Sequence, residues 1–147
     1  MRGEVTEAAR VLARLGLVTA FGHVSARAGD SMLITPAADL AGVTAASVIE
    51  VPLVVRALPA GAPAEAWAHL ALYRARPDAA AIARAQPTAA FAVAAVTTVM
   101  VPVHGQAAWL GESVPVYNDA ALLRSADRAE RAASCLPAGE ALLLRGN

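Results

Sequence analysis

The apolar residues near the amino terminus recur at three- and four-residue intervals, which predicts an amphipathic helix. They are Val5, Ala8, Ala9, Leu12 and Leu15. Gly16 follows the last of them, and a glycine in that place is typical of a helix C-terminus. We expect this helix to cover one face of a sheet.

Strand-like segments follow the first helix. Residues 17–27 and 31–35 contain β-branched residues with alternating polarity, and the turn residues between them, at 28–30, predict a β-hairpin. Residues 47–55 are rich in valine and isoleucine and predict a third strand. Pro52 lies within this strand and indicates that it is broken or at a sheet edge, because proline cannot donate a ladder hydrogen bond.

The second half of the chain alternates between helical and strand-like patterns. Residues 63–76 predict a helix, 79–86 a short buried strand, and 88–96 an alanine-rich helix. Further along we expect strands at 99–103 and 114–117, a helix from Asn118 or Asp119 to about Leu136, and a central strand at 140–147. Alternating elements of this kind predict an α/β fold in one domain spanning residues 1–147.

Composition excludes several classes of protein. A chain of 147 residues with twelve basic and twelve acidic side chains has no charge excess for nucleic acid or an anionic membrane surface. The single cysteine, Cys135, excludes an internal disulfide.

Residues 87–103 are mostly apolar, but they include threonine and proline and are too short for a comfortable membrane span, so we expect them to belong to the core. The amino terminus does not resemble a secretory signal, and the expected location is cytoplasmic.

Two pairs of polar residues interrupt the apolar pattern in the middle of the chain. Glu65 and His69 are four positions apart, so they share one face of the predicted helix. Arg84 and Gln86 are two positions apart, so they share one side of the predicted strand. Polar groups placed in this way on apolar elements are candidates for the wall of a site.

The order of these motifs resembles that of the class II aldolase/adducin family. The resemblance rests on Gly22-His23-Val24-Ser25 followed by Arg27, on Ile34-Thr35-Pro36, and on Glu65 with His69. It implies a single three-layer α/β domain, with a largely antiparallel central sheet flanked by helices. It also implies a homo-oligomer, commonly a tetramer. The family resemblance further implies C-terminal helices after residue 147, and we expect the domain at 1–147 to lack them.

The same resemblance implies a divalent metal such as zinc, but the sequence departs from the family at the ligand positions. Two histidines on one strand are replaced by Arg84 and Gln86, and the histidine after a later strand is replaced by Asn147. A guanidinium is permanently protonated and offers no lone pair to a metal. We therefore predict no metal and no other cofactor. Pro63 and Ala64 replace serines that help to hold a phosphate in the family, which disfavours a sugar phosphate.

We hypothesise that Arg84 supplies the positive charge that the metal would have supplied. It would bind a substrate carboxylate or stabilise an enolate-like oxygen, and Glu65 would act as general acid or base if burial raises its pKa. These two residues are the predicted catalytic groups, and the predicted substrate contacts are His23, Ser25, Thr35, Gln86 and Asn147. The reaction would be aldol cleavage, decarboxylation or dehydration of a small carboxylated oxo, hydroxy or aromatic compound. The only partners predicted are this anionic substrate and other copies of the chain.

Other interpretations of the same residues remain open. The chain could be a non-catalytic scaffold or binding domain, which the resemblance to the adducin head domain permits. His69 is expected to be structural, and His23 is equally compatible with a turn histidine bonded to backbone. His104 is a weaker candidate for the site, and a replacement metal site from His23, His69 and His104 would have no recognised ligand spacing.

Overall fold

The computed structural model describes residues 1–146, and in that range the chain forms four α-helices and seven β-strands. In chain order these are α1 (Arg2–Arg14), β1 (His23–Ala28), β2 (Ser31–Ile34), β3 (Ile49–Pro52), α2 (Ala66–Ala75), β4 (Ala81–Arg84), α3 (Thr88–Val96), β5 (Val99–Met100), β6 (Val114–Tyr117), α4 (Ala126–Ala133) and β7 (Leu143–Leu144). Short 3-10 helices occur at Leu40–Gly42 and Gly105–Leu110.

The predicted hairpin is the centre of a four-stranded antiparallel sheet with the strand order β3-β2-β1-β4. Ala28 pairs with Ser31, so a two-residue turn joins β1 to β2. Gly29 in this turn has a φ of 62°, a conformation that glycine adopts without steric cost. Pro52 lies in β3 at the edge of the sheet, as predicted.

Two helices cover opposite faces of this sheet, which confirms the predicted three-layer α/β arrangement. Because side chains alternate along a strand, Leu33 packs with Val5 and Ala9 of α1, whereas Met32 and Ile34 pack against α2. Each face thereby buries its own apolar cluster, and burial of this kind is the main stabilising contribution to the fold.

The remaining strands form a second sheet with the order β5-β6-β7, in which β7 runs parallel to β6. The predicted strand at 140–147 is therefore shorter than expected and lies at an edge. Ala129 and Ala133 of α4 pack closely against Ala71 of α2. The prediction that α4 starts at Asn118 or Asp119 is wrong, because Asp119 Oδ1 accepts the backbone N–H of Ala121 at 2.9 Å and stabilises a turn.

The expectation that residues 87–103 are core is wrong. In α3 only Ala94 is buried, whereas Val96 is 86% exposed and Val103, farther along, is 95% exposed. In the described part of the chain no further layer packs over this segment. Within residues 1–146, no helix is both long enough and apolar enough to cross a membrane.

The prediction that β4 is buried also needs correction. Ala81 and Ala83 are exposed, and Ile82 and Arg84 are only half-buried. The reason is that β4 is the edge strand of its sheet. Its outer side borders a cleft of about 540 Å³, whose other walls include residues of α2, α4 and β7.

Candidate active site

A column of polar side chains lies between β1 and α2 because the two elements advance by matching steps. Two strand residues advance about 6.7 Å and four helical residues about 6 Å. Alternate residues of β1 therefore face residues spaced by four along the start and body of α2. We call the resulting contacts the β1–α2 pairs: His23 with Glu65, Ser25 with His69, and Arg27 with Tyr73.

The first β1–α2 pair contains the acid. Glu65 immediately precedes α2 and is 6% exposed, and its Oε2 lies 3.9 Å from His23 Nε2. Arg124, in the loop before α4, donates a hydrogen bond from Nε to Glu65 Oε1 at 2.8 Å. Arg124 is half-exposed, so it closes the carboxylate off from solvent on one side.

The second pair is a chain of three hydrogen-bonding groups. The Ser25 hydroxyl lies 2.7 Å from His69 Nδ1 and 2.9 Å from the Tyr73 hydroxyl. All three side chains are almost fully buried. His69 therefore has one ring nitrogen bonded, and its Nε2 has no hydrogen-bond partner in the described part of the chain.

The third pair fastens the end of α2 to the sheet. Arg27 Nη2 donates to the Tyr73 carbonyl at 2.7 Å and to the Arg76 carbonyl at 3.1 Å, and Arg27 Nε donates to the Ala79 carbonyl at 3.0 Å. The guanidinium also lies over the Tyr73 ring, 4.8 Å from its centroid. These contacts satisfy carbonyls that have no partner within the helix.

Arg84 and Gln86 both reach the backbone of Phe21 in the loop that precedes β1. The guanidinium of Arg84 donates to the Phe21 carbonyl, and Gln86 Oε1 accepts the Phe21 N–H at 3.3 Å. A Cβ on neighbouring Gly22 would lie 2.5 Å from Val18 Cγ atoms, so this close packing requires glycine. Arg84, Gln86 and His69 line the cleft beside β4.

The two histidines of the column are neutral near pH 7. Burial lowers the pKa of His23 to about 4, with a further contribution from the charge of Arg84 and an opposing one from Glu65. Burial, together with His23 and Arg84, lowers the pKa of His69 to about 3. Two neutral imidazoles therefore lie close to one another, with ring centroids 6.3 Å apart.

The expectation that burial raises the pKa of Glu65 needs correction. Burial does act in that direction, but the hydrogen bond from Arg124, a backbone hydrogen bond and the charges of Arg124 and Arg84 together lower the pKa below its usual value. Glu65 is consequently a carboxylate at neutral pH.

The side chains do not fit the divalent metal that the family resemblance implies. Arg84 cannot ligate, and Gln86 Oε1 is already an acceptor for Phe21. Among residues 1–146, no group of three or more histidine, cysteine, aspartate or glutamate side chains is arranged to hold a metal ion. We therefore derive no catalytic step through a metal.

The structure brings most of the predicted site residues together, but not all. Glu65, His23, Ser25 and Arg84 belong to one electrostatic cluster, and Gln86 lies beside it. Thr35 is fully buried and accepts the Val24 N–H through Oγ1 at 3.1 Å, a contact at the end of a strand. His104 is exposed, and Asn147 lies outside the described residues.

Sequence reasoning missed two members of the cluster. Tyr73 could have been predicted, because it continues the four-residue spacing of Glu65 and His69 along the same helical face. Arg124 had none, since it approaches Glu65 from a loop 59 residues away in sequence.

Comparisons with known proteins agree with this architecture. The family model described as "Class II Aldolase and Adducin N-terminal domain" matches residues 3–147. The L-fuculose-1-phosphate aldolase of Thermus thermophilus superposes with a TM-score of 0.85 at 29% identity, over 97% of this chain and 73% of its own. A search of curated proteins found no significant match.

Two further solved structures share the fold at lower identity. Another L-fuculose 1-phosphate aldolase has a TM-score of 0.88 at 23% identity, over 99% of this chain and 71% of its own. YgbL of Escherichia coli has a TM-score of 0.83 at 22% identity, over 99% of this chain and 74% of its own. Because the family model covers nearly the whole chain, this protein belongs to the class II aldolase and adducin N-terminal domain family.

Proposed function

We propose that this protein is a metal-independent lyase acting on a small carboxylated oxo, hydroxy or aromatic compound. Family membership and the aldolase neighbours support a lyase-type activity in general. The observation that carries the finer proposal is the half-buried guanidinium of Arg84, whose charge acts on Glu65, His23 and His69. A fixed positive charge in this position would stabilise negative charge on the substrate, as a metal ion does, without needing side chains that bind a metal.

The proposed chemistry divides between Arg84 and Glu65. In an aldol cleavage, Glu65 would accept the proton of the substrate hydroxyl as the carbon–carbon bond breaks, and the electron pair of that bond would form an enolate. Arg84 would stabilise the enolate oxygen. Arg124 keeps Glu65 ionised, so Glu65 can accept a proton, although the lowered pKa makes it a weaker base.

The residues just before Glu65 favour a carboxylate substrate over a phosphate. The Thermus neighbour is named for a sugar phosphate. This chain has Pro63 and Ala64 where the family has phosphate-binding serines, so we propose a carboxylate in preference to a phosphate.

Thermal-shift measurements with pyruvate, lactate and benzoate test this proposal. We expect at least one acid to raise the melting temperature of the wild type, because a ligand that binds only the folded state stabilises it by mass action. Arg84→Ala should lose the shift, measured against the variant's own baseline. Arg56→Ala, which removes an exposed arginine in the loop after β3, should keep it.

Metal analysis of the purified protein tests the absence of a metal separately. We expect less than stoichiometric zinc, iron, manganese or cobalt and no effect of a chelator on the melting temperature. A stoichiometric transition metal that is lost in Gln86→Ala or Glu65→Gln would overturn the metal-independent proposal.

The second candidate function is a non-catalytic scaffold or binding domain. One observation favours it: Glu65 is already neutralised by Arg124, whereas a free base would serve catalysis better. If none of the acids shifts the melting temperature, the scaffold is the better interpretation and the lyase proposal fails.

We also propose that the chain forms a homo-oligomer. The support is the apolar surface on α3 and the segment that follows, where Phe91, Val96, Val101, Val103 and Trp109 are exposed. Contiguous apolar surface on a folded protein commonly marks an interaction site.

A further inference from the structure

Three buried ring nitrogens in the cluster have no hydrogen-bond partner among the described residues: both nitrogens of His23, and Nε2 of His69. Buried polar atoms in folded proteins are nearly always bonded, so an exception needs an explanation such as a ligand or a water molecule. His69 is the more informative case because its other nitrogen is bonded to Ser25.

The hydrogen-bond chain from Tyr73 through Ser25 to His69 can run in two directions. In the first, Tyr73 donates to Ser25, Ser25 donates to His69 Nδ1, and the proton of the neutral ring resides on Nε2. In the second, His69 Nδ1–H donates to Ser25 and Ser25 donates to Tyr73. The oxygen–nitrogen and oxygen–oxygen distances, 2.7 and 2.9 Å, permit both.

Counting unpaired groups favours the first direction. Burial raises the pKa of the Tyr73 hydroxyl above its usual value, so this group keeps its proton and can donate it. In the second direction the Tyr73 proton and His69 Nε2 would both be left unpaired inside the protein. In the first direction only the Nε2–H is unpaired, and each buried polar group left unpaired destabilises the fold.

We propose that Tyr73 and Ser25 hold His69 as the Nε2–H tautomer, and that this N–H donates a hydrogen bond to an oxygen of an anionic ligand bound beside Arg84. His69 and Arg84 line the same cleft. This assignment deepens the lyase proposal and rests on it for the identity of the ligand. His69 would contact the ligand, and Ser25 and Tyr73 would be positioning residues.

Nitrogen-15 NMR of histidine-labelled protein tests the tautomer without any ligand. Comparison with His69→Gln assigns the His69 signals. At pH 7 we expect a protonated Nε2 and an unprotonated Nδ1, unchanged between pH 5 and 8. In Tyr73→Phe, which keeps the ring but removes the donor to Ser25, we expect a mixture of tautomers. A protonated Nδ1 in the wild type would overturn the proposal while leaving the lyase proposal intact.

Ligand binding in two matched variants tests the donor role. The amide of His69→Gln can reach the position of Nε2, whereas that of His69→Asn reaches only the position of Nδ1. For whichever of pyruvate, lactate or benzoate binds the wild type, we expect His69→Gln to retain affinity within about threefold and His69→Asn to lose about tenfold or more, as for a hydrogen bond to a charged group.

The two proposals fail in different ways. Equal affinity of the Gln and Asn variants, with binding still lost in Arg84→Ala, would overturn the role of His69 alone. Absence of binding to the wild type by all three acids would overturn the lyase proposal and the donor role together. If His69→Asn does not fold, Ser25→Ala replaces it, and affinity equal to that of the wild type would overturn the proposal.

Discussion

The pKa of Glu65 is set by opposing effects, of which only burial could be predicted from the sequence. The sequence identifies Glu65 as the acid and predicts that burial raises its pKa, and burial does act in that direction. The dominant partner, Arg124, is brought in by tertiary folding from a loop that has no distinctive pattern. The identity of a site residue can thus be predicted locally, whereas its protonation depends on groups that only the folded chain brings near it.

The buried histidines predict how stability depends on pH. The pKa of His23 is about 4 in the folded protein and about 6.5 when exposed, so the unfolded chain binds more protons between these values. The stabilisation from a neutral His23 is fully present above pH 6.5 and is lost as the pH falls towards 4. His69, with a pKa of about 3, acts in the same direction. The free energy of unfolding should therefore fall by up to about 1.4 kcal/mol per pH unit for each histidine.

His23→Asn tests this explanation. Urea unfolding between pH 7 and pH 5 should show a smaller loss of stability in the variant than in the wild type. The range stays above the ordinary glutamate pKa of 4.5, which applies to the unfolded chain, so Glu65 contributes little to the difference. Identical slopes for His23→Asn and the wild type would contradict the assignment.

At the scale of elements, the sequence predicts correctly those features that are decided by residues within the element itself. The hairpin and the helix α3 were predicted because turn chemistry and composition within each segment decide them. The start of α4 was missed because the side chain of Asp119 stabilises a turn instead of a helix cap. The exposure of β4 was missed because it depends on which strands pair, and no local pattern encodes an edge.

The attachment of α2 to the sheet gives a prediction at this scale. Arg27→Met keeps much of the side-chain volume but removes donors to the carbonyls of Tyr73, Arg76 and Ala79. We expect a loss of about 2 kcal/mol in the free energy of unfolding, because three partly buried carbonyls lose a charged donor. Hydrogen exchange should accelerate most at residues 73–79.

Arg74→Met is the matched control for that experiment. Arg74 lies on α2 itself, where it donates a hydrogen bond to the Leu53 carbonyl and pairs with Glu130 at 3.6 Å, both in an exposed setting. We expect its loss to be well under half that of Arg27→Met. Equal losses would mean that the effect comes from removing a positive charge near α2 and not from the attachment of its C-terminal end.

At the scale of the whole molecule, family resemblance predicted the fold class more reliably than hydropathy predicted burial. The order of motifs from Gly22 to His69 led to the correct three-layer arrangement. The apolar composition of residues 87–103 led to the wrong expectation of core, since apolar residues are needed equally for a core and for a surface that another chain covers. Sequence alone does not distinguish these two uses of apolar residues.

The proposed homo-oligomer gives the last prediction. Val103→Asp places a charge on a side chain that is 95% exposed in the single chain, so it should scarcely change the stability of the monomer. If this surface is covered by a second copy, the charge must be buried on assembly and association should weaken strongly. Val54→Asp, at a residue that is 87% exposed in the loop after β3, is the control. Sedimentation velocity should show oligomers for the wild type and Val54→Asp but smaller species for Val103→Asp. A wild type that remains monomeric at all concentrations would exclude the homo-oligomer, and oligomers of Val103→Asp like those of the wild type would exclude this surface.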